Sequence, residues 1–320
     1  MNTQAEMSIG QLCSKFRVKS SKSSHRWQRF VLVLLVGSAF ISLATTVGII
    51  AMLAVNAWGF FGSPEIELSR FLSDTTWTIG QTQGAIRYGI WPLLSGTLRI
   101  TVIAMFLALP LGLITAIYLS EFAARSTRAI LKPALELLAG IPTVVLGFFA
   151  IVFITPFLQN FIDDGFKTFN AASAGIAVGI LCIPLVSSLS EDALQAVPRS
   201  LREGAYGLGA TRFETTVFVV LPAATSGIVS AFLLALARAI GETMVVALAA
   251  GSTPTYSLDP RLQSQTMTGY IVNTFQSDTV TPGTVAYHSV YAVAVVLFLL
   301  TLTLTLLGQW VRRRFREVYQ

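Results

Sequence analysis

Charge is scarce in this sequence. Charged residues make up 12% of its 320 positions, about half of the roughly 25% usual in a soluble domain. The shortfall is segmental, which excludes an ordinary soluble globule. Cysteine is almost missing too. Cys13 falls in a polar N-terminal stretch and Cys182 in the middle of an apolar one, so no disulfide framework or cysteine metal site is expected. His25 and His288 stand apart from any other metal-ligating residue, so no metal is expected. There is no Gly-Lys pair, which the phosphate-cradling loop G-x-x-x-x-G-K-[ST] requires. None of Lys15, Lys19, Lys22, Lys132 and Lys167 follows a glycine. The chain is therefore expected to hold no nucleotide and no cofactor of its own. Short alternating segments of the kind that build a membrane barrel are also missing.

What is present is a set of long apolar runs. A membrane span needs about 20 mostly apolar residues. Six stretches qualify, at approximately 30–54, 91–119, 134–158, 172–190, 222–250 and 286–310. The sequence thus predicts an all-α membrane protein with six transmembrane helices. The first run has a polar lead-in too long for a cleaved signal peptide and is read as a signal anchor.

Basic residues set the expected orientation, because cytoplasmic segments collect Lys and Arg. One side holds Lys15, Arg17, Lys19, Lys22, Arg26 and Arg29 before the first run, then Arg125, Arg128 and Lys132, then Arg199, Arg202 and Arg212, and finally Arg312, Arg313, Arg314 and Arg316. The other side holds Arg70, Arg87, Lys167 and Arg261. Both termini are therefore expected in the cytoplasm. The expected layout is a basic tail over 1–29, a first span over 30–54, an external loop over 55–90, a core over 91–310 and a basic tail over 311–320. The net charge of +6 is accounted for by topogenic charge beside anionic lipid, and no nucleic-acid partner is implied.

Two features carry functional information. The first is the polar insert 198–221. Pro198 can open a helix, since its missing N–H would be unpaired there anyway. Leu201, Ala205 and Leu208 recur on one face, and Gly209 is placed to end the helix. Thr211-Arg212-Phe213-Glu214 has the form of a capping box that starts the next helix. Gly204, Gly207 and Gly209 each cost helix stability, up to about 1 kcal/mol against Ala. Small residues there suit a loop packed closely against another surface. The other reading is a plain connector. The second feature is Arg238-Ala239-Ile240-Gly241-Glu242. If one helix runs on from Pro222, the two charges share a face and Arg238 lies about 24 Å along it. A buried Arg is expensive in a bilayer, so this pair reads either as a packing ion pair or as a point on a solute path, with Glu242 as the resting partner of Arg238. Arg99 reads as a structural anchor near the other end of its span, and Glu136 as an interfacial contact.

The insert resembles the EAA loop of ABC importer permeases, in the spacing of Glu203-Gly204-Ala205, Gly209, Val219, Leu221 and Pro222. Gly204 stands where the family has Ala. Ser120-Glu121-Phe122, the run from Glu136 to Gly147, Ile154-Thr155-Pro156 and Arg238 to Met244 extend the likeness to the phosphate-specific branch of the PstC type. The resemblance implies a type I importer permease in the bacterial inner membrane. It implies a heterodimer with a PstA-type permease, a PstB-type ATPase dimer that binds the ATP, and an external PstS-type binding protein that delivers inorganic phosphate. It assigns ATPase coupling to Glu203, Gly204, Ala205, Gly209, Leu221 and Pro222, and leaves the chain without a catalytic residue. A PstA-type permease is the nearest alternative. An ion-coupled anion transporter acting alone is a second, and leaves the EAA spacing unexplained.

Overall fold

The computed structural model describes residues 22–79, 86–277 and 280–314. Cys13 and most of the two basic tails lie outside the described residues. By its contacts the chain falls into two units, Met1–Met52 and Leu53–Gln320. The first contributes most of helix α1 (Lys22–Phe61). From Phe30 to Met52 its side chains are apolar around the circumference apart from a few hydroxyls, and those of Ser38, Thr45 and Thr46 donate back to helix carbonyls, as suits a lipid-spanning helix.

The second unit is a helical bundle with a packed cap. Helix α2 (Leu68–Ser73) precedes the long α3 (Trp91–Ile117), which runs on through a π turn at Tyr118–Phe122. Helix α4 (Arg125–Ala139) is amphipathic and has no buried residue. Helices α5 (Thr143–Phe149) and α6 (Thr155–Phe161) are joined through a π turn at Ala150–Ile154, and α7 spans Ala171–Gln195. The polar insert forms α8 (Arg199–Gly207) and the short α9 (Arg212–Thr215). A third π turn, Thr216–Val220, leads into α10 (Leu221–Ile240). Helices α11 (Met244–Ala249), α12 (Met267–Phe275) and α13 (Val285–Arg314) complete the chain. Among the described residues, six helical segments are long and apolar enough to cross a membrane.

Two spans depart from the hydrophobic runs, the third by being shorter and the fifth by lying earlier in the chain, over Arg212–Ile240. The third starts at Thr143, because Gly140-Ile141-Pro142 breaks the helix and leaves the charged α4 as a separate element. The fifth stops at Ile240, with Gly241 as its C-cap. Proline explains two of the three π turns. Pro156 and Pro222 stand in the first turns of α6 and α10, each directly after a π turn. A proline has no N–H to give to the preceding turn, and the helix widens ahead of it.

Helices α3 and α7 form the centre of the bundle, and small residues let them approach. A Cβ on Gly175 would fall 2.7 Å from Ile103 Cβ, and one on Gly112 would fall 2.6 Å from Val186 Cβ. Ala104, Ala108, Ala174, Ala177 and Ala235 fill the surrounding core. In lipid, helices gain little from the hydrophobic effect and associate through close packing of this kind. The cap on the far side from the basic loops is aromatic instead. Phe60, Phe71, Trp77 and Tyr270 meet edge to face in sequence, with ring centroids 5.9, 6.4 and 5.1 Å apart. This chain of rings packs the segment after α1 onto α12. His288 is part of the same packing, its Nδ1 lying 3.2 Å from the Asn56 carbonyl oxygen.

The segment between α11 and α12 is fastened at two points. Buried Arg99 on α3 donates through Nη1 to the carbonyls of Ser257 and Asp259, at 2.6 and 2.8 Å. Arg261 bridges Asp163 and Asp259 at 2.6 and 2.9 Å. The Gly165 backbone N–H, then Arg261, hold the Asp163 carboxyl below the usual range. The Arg261 hydrogen bond does the same for Asp259. A lowered carboxyl contributes stability above its unfolded pKa of about 4, and loses it only as pH falls through the lower folded value. Labelling of a cysteine placed at Leu258 should therefore be independent of pH between about 5 and 8 apart from thiol ionisation, and Arg261→Gln should raise it across that whole range.

Candidate functional site

The insert is built as a rigid knob. Pro198 caps α8, which buries Ala205 and leaves Glu203 and Gly204 exposed. Gly209 adopts φ +87°. Its N–H donates to the Tyr206 carbonyl at 3.0 Å, and the Ala210 N–H donates to the Ala205 carbonyl at 3.1 Å. This is the Schellman closure that satisfies the last carbonyls of a helix, and its left-handed residue favours glycine. Thr211 and Glu214 then form a full capping box. Leu221 is half-buried and Pro222 opens α10.

One expectation about the insert fails. Leu208 does not share the apolar face of Leu201 and Ala205. It lies one residue past the helix end and is 91% exposed. With Tyr206 and Phe213 it presents an apolar surface outward. Nothing in the chain lies within 4 Å of a Cβ built on Gly204, Gly207 or Gly209, so these glycines are not demanded by packing within this chain.

A residue that sequence reasoning left among the topogenic charges anchors the knob. Arg202 donates to the carbonyls of Leu194 and Val197, at 2.7 and 2.8 Å, and to Glu121 at 3.0 Å. It thereby caps the end of α7 and ties α8 to the π turn after α3. The nearby signal was Glu121 in the Ser-Glu-Phe motif, whose buried carboxylate needs a cation. A cleft of about 430 Å³ opens beside it, lined in part by Glu121, Arg128, Arg199, Arg202, Glu203 and Tyr206.

The intramembrane charges are arranged differently from the expected pair. Because α10 ends at Ile240, Arg238 and Glu242 do not share a helical face. Among the described residues no ion pair joins them. The Glu242 side chain is turned to the Val245 N–H at 3.4 Å, and its backbone carbonyl accepts from Thr268 at 2.7 Å. Glu242 therefore organises the turn into α11. Arg238 is exposed, makes no ion pair or hydrogen bond among the described residues, and lines a cavity of about 280 Å³ with Lys132, Glu136, Ser187, Ser188 and Glu191. Glu191, 1% exposed, is paired with Arg128 and Lys132 of α4 at 2.5 and 3.4 Å. A buried carboxylate without such partners would cost several kcal/mol.

A bundle of membrane helices with an outward knob at its basic end and an arginine-lined cavity in its middle defines a type I ABC importer permease, a transport subunit of the inner membrane. The chain belongs to the family of binding-protein-dependent transport system inner membrane components, whose model matches residues 108–317. It is 32% identical to the probable ABC transporter permease protein YqgH of Bacillus subtilis, over 86% of this chain and 88% of that one. It is 29% identical to the phosphate transport system permease protein PstC of Xylella fastidiosa, over 86% of this chain and 90% of that one. A bacterial ABC transporter involved in the import of the acidic polysaccharide alginate shares the fold. The TM-score is 0.64 at 14% identity, over 92% of this chain and 100% of the solved one.

Proposed function

We propose that the chain is the PstC-type permease of an ATP-driven phosphate importer. It forms one half of the translocation path and transmits the strokes of a separate ATPase through the knob at 198–221. The observation that carries this reading is the knob itself: a capped, rigid, outward-facing element with exposed Glu203, Tyr206, Leu208 and Phe213, and with two glycines, Gly204 and Gly207, that neither packing nor a positive φ within this chain requires. Phosphate as the solute is supported by PstC relatives that match most of the chain and by the unpaired guanidinium of Arg238. Arg presents a planar fork matched to phosphate oxygens. A PstA 1 protein of Mycobacterium tuberculosis is 36% identical, but over 53% of this chain only. That favours the PstC type over the PstA type for this chain, with a PstA-type protein as the paired subunit in this reading. An anion transporter acting alone would have no use for the knob.

In this reading the basic loops and both termini face the cytoplasm, where a PstB-type ATPase dimer holds the ATP. A PstS-type protein delivers phosphate to the opposite, aromatic cap. Tagged chain extracted from bacterial membranes should bring down a second permease and an ATPase. Cysteine at position 209, in a background free of Cys13 and Cys182, should resist an impermeant reagent in intact cells and react in inverted vesicles. Recovery of the chain alone, together with labelling of position 209 from outside, would overturn the proposal.

A further inference from the structure

Three observations converge on the cavity between α4, α7 and α10. Ser187 lines it, and the Ser187 hydroxyl is buried with no hydrogen-bond partner. An unpaired buried hydroxyl costs free energy that a ligand oxygen would recover. Arg238 lines it with no ion pair to occupy its guanidinium. Glu191 holds two cations, Arg128 on one carboxylate oxygen and Lys132, the longer contact, on the other. Both cations come from α4, which buries no side chain in the bundle and so depends on such contacts for its position.

We propose that this cavity is an oxyanion station on the path, in which a tetrahedral anion is held by Arg238, Lys132 and Ser187, and that Glu191 is the carboxylate which keeps Lys132 when the station is empty. The inference rests on the phosphate-importer reading and supplies the step before release. Its logic is electrostatic. Lys132 and Arg238 on the cavity wall balance Glu136 and Glu191, and Arg128, which reaches Glu191 from outside the lining, brings the group to one net positive charge. That suits a small anion better than a neutral solute. The doubled pairing of Glu191 also has a use. When Lys132 turns to an arriving anion, Arg128 remains on Glu191, so the buried carboxylate is never left bare, which would be the costly state. As the anion leaves, Lys132 returns to Glu191, and the station no longer holds its full set of donors. No bond is made or broken. The exchange is of ionic partners only.

The test uses the whole complex in inverted membrane vesicles, with Cys13 and Cys182 replaced and Ser188→Cys as a reporter on the cavity wall. A small neutral maleimide labels the reporter, and inorganic phosphate, sulfate or chloride is added at matched ionic strength. Phosphate should slow labelling several-fold and chloride should not. Lys132→Gln should abolish the protection and Lys132→Arg should restore part of it. Glu191→Gln, which releases Lys132, should lower the phosphate concentration for half-protection by about tenfold, the scale of one close charge contact. Variants are compared per assembled complex. If phosphate uptake is intact but no oxyanion protects the reporter, the station is wrong and the importer reading survives. If sulfate protects and phosphate does not, the station stands and the phosphate reading fails. If Lys132→Gln and Glu191→Gln change labelling equally with or without anion, the ion pairs are only a tether for α4, and the station is refuted.

Discussion

Arg238→Gln is expected to abolish phosphate uptake while leaving the complex assembled. The side chain makes no ion pair or hydrogen bond among the described residues, so the substitution removes no native contact and leaves no buried partner charge behind. Most of the usual route from a lost buried charge to a lost fold is closed. What it does remove is the charged fork on the cavity wall. Losing one desolvated charge contact to an anion costs about 2–5 kcal/mol, so uptake per assembled complex should fall by roughly 30-fold to more than 1000-fold. Arg238→Lys should recover part of it, since an ammonium keeps the charge and loses the planar geometry. Exchanging the two residues, Arg238→Glu with Glu242→Arg, should not restore uptake, because Glu242 faces the turn into α11 and not Arg238. Rescue by the exchange would show that the two side chains meet in a working state and that Arg238 serves packing.

Gly209→Leu and Glu203→Lys should uncouple the motor from the path. At Gly209 the backbone lies at φ +87°, a region that costs an L-residue about 1–2 kcal/mol. The open space around it means the penalty falls on the Schellman closure and not on a clash. The knob should tilt while the bundle stays folded. Glu203 is exposed and makes no ion pair among the described residues, so reversing its charge breaks no ion pair and changes what the knob and the arginine-lined cleft beside it offer to a partner. In the purified complex, stimulation of ATP hydrolysis by phosphate-loaded binding protein should drop about tenfold in each variant, on the scale of 1.4 kcal/mol. The amount of complex should change little. Normal stimulation in both would mean the knob is a connector between spans.

The knob was legible in the sequence because local rules govern it. A helix-opening proline, a glycine that must take positive φ and a capping box each act within a few residues. The six spans were legible for a similar reason, since length and apolarity suffice. What could not be read depends on where helices stop and what lies opposite. The spacing of Arg238 and Glu242 suggests a shared face only if the helix continues, and Gly241 ends it. The apolar run from 134 includes the last turns of a separate surface helix, because Gly140-Ile141-Pro142 outweighs continuity of hydrophobicity. Arg202 looked like a member of the basic pattern along the chain, and Glu191 drew no reading at all. Their roles, tying α8 to the turn after α3 and receiving α4, arise from residues 81 and about 60 positions away. The aromatic cap was hidden in a stretch read only as an external loop over 55–90.

The central claim is that this permease carries phosphate under the control of an ATPase acting on its knob. It is tested most directly by uptake into reconstituted vesicles holding the chain with its copurifying permease and ATPase, supplied with the external binding protein. Labelled phosphate should accumulate only when ATP is present on the ATPase side, and excess sulfate or molybdate should not compete. Accumulation by the chain alone without ATP, or equal transport of sulfate, would contradict the account.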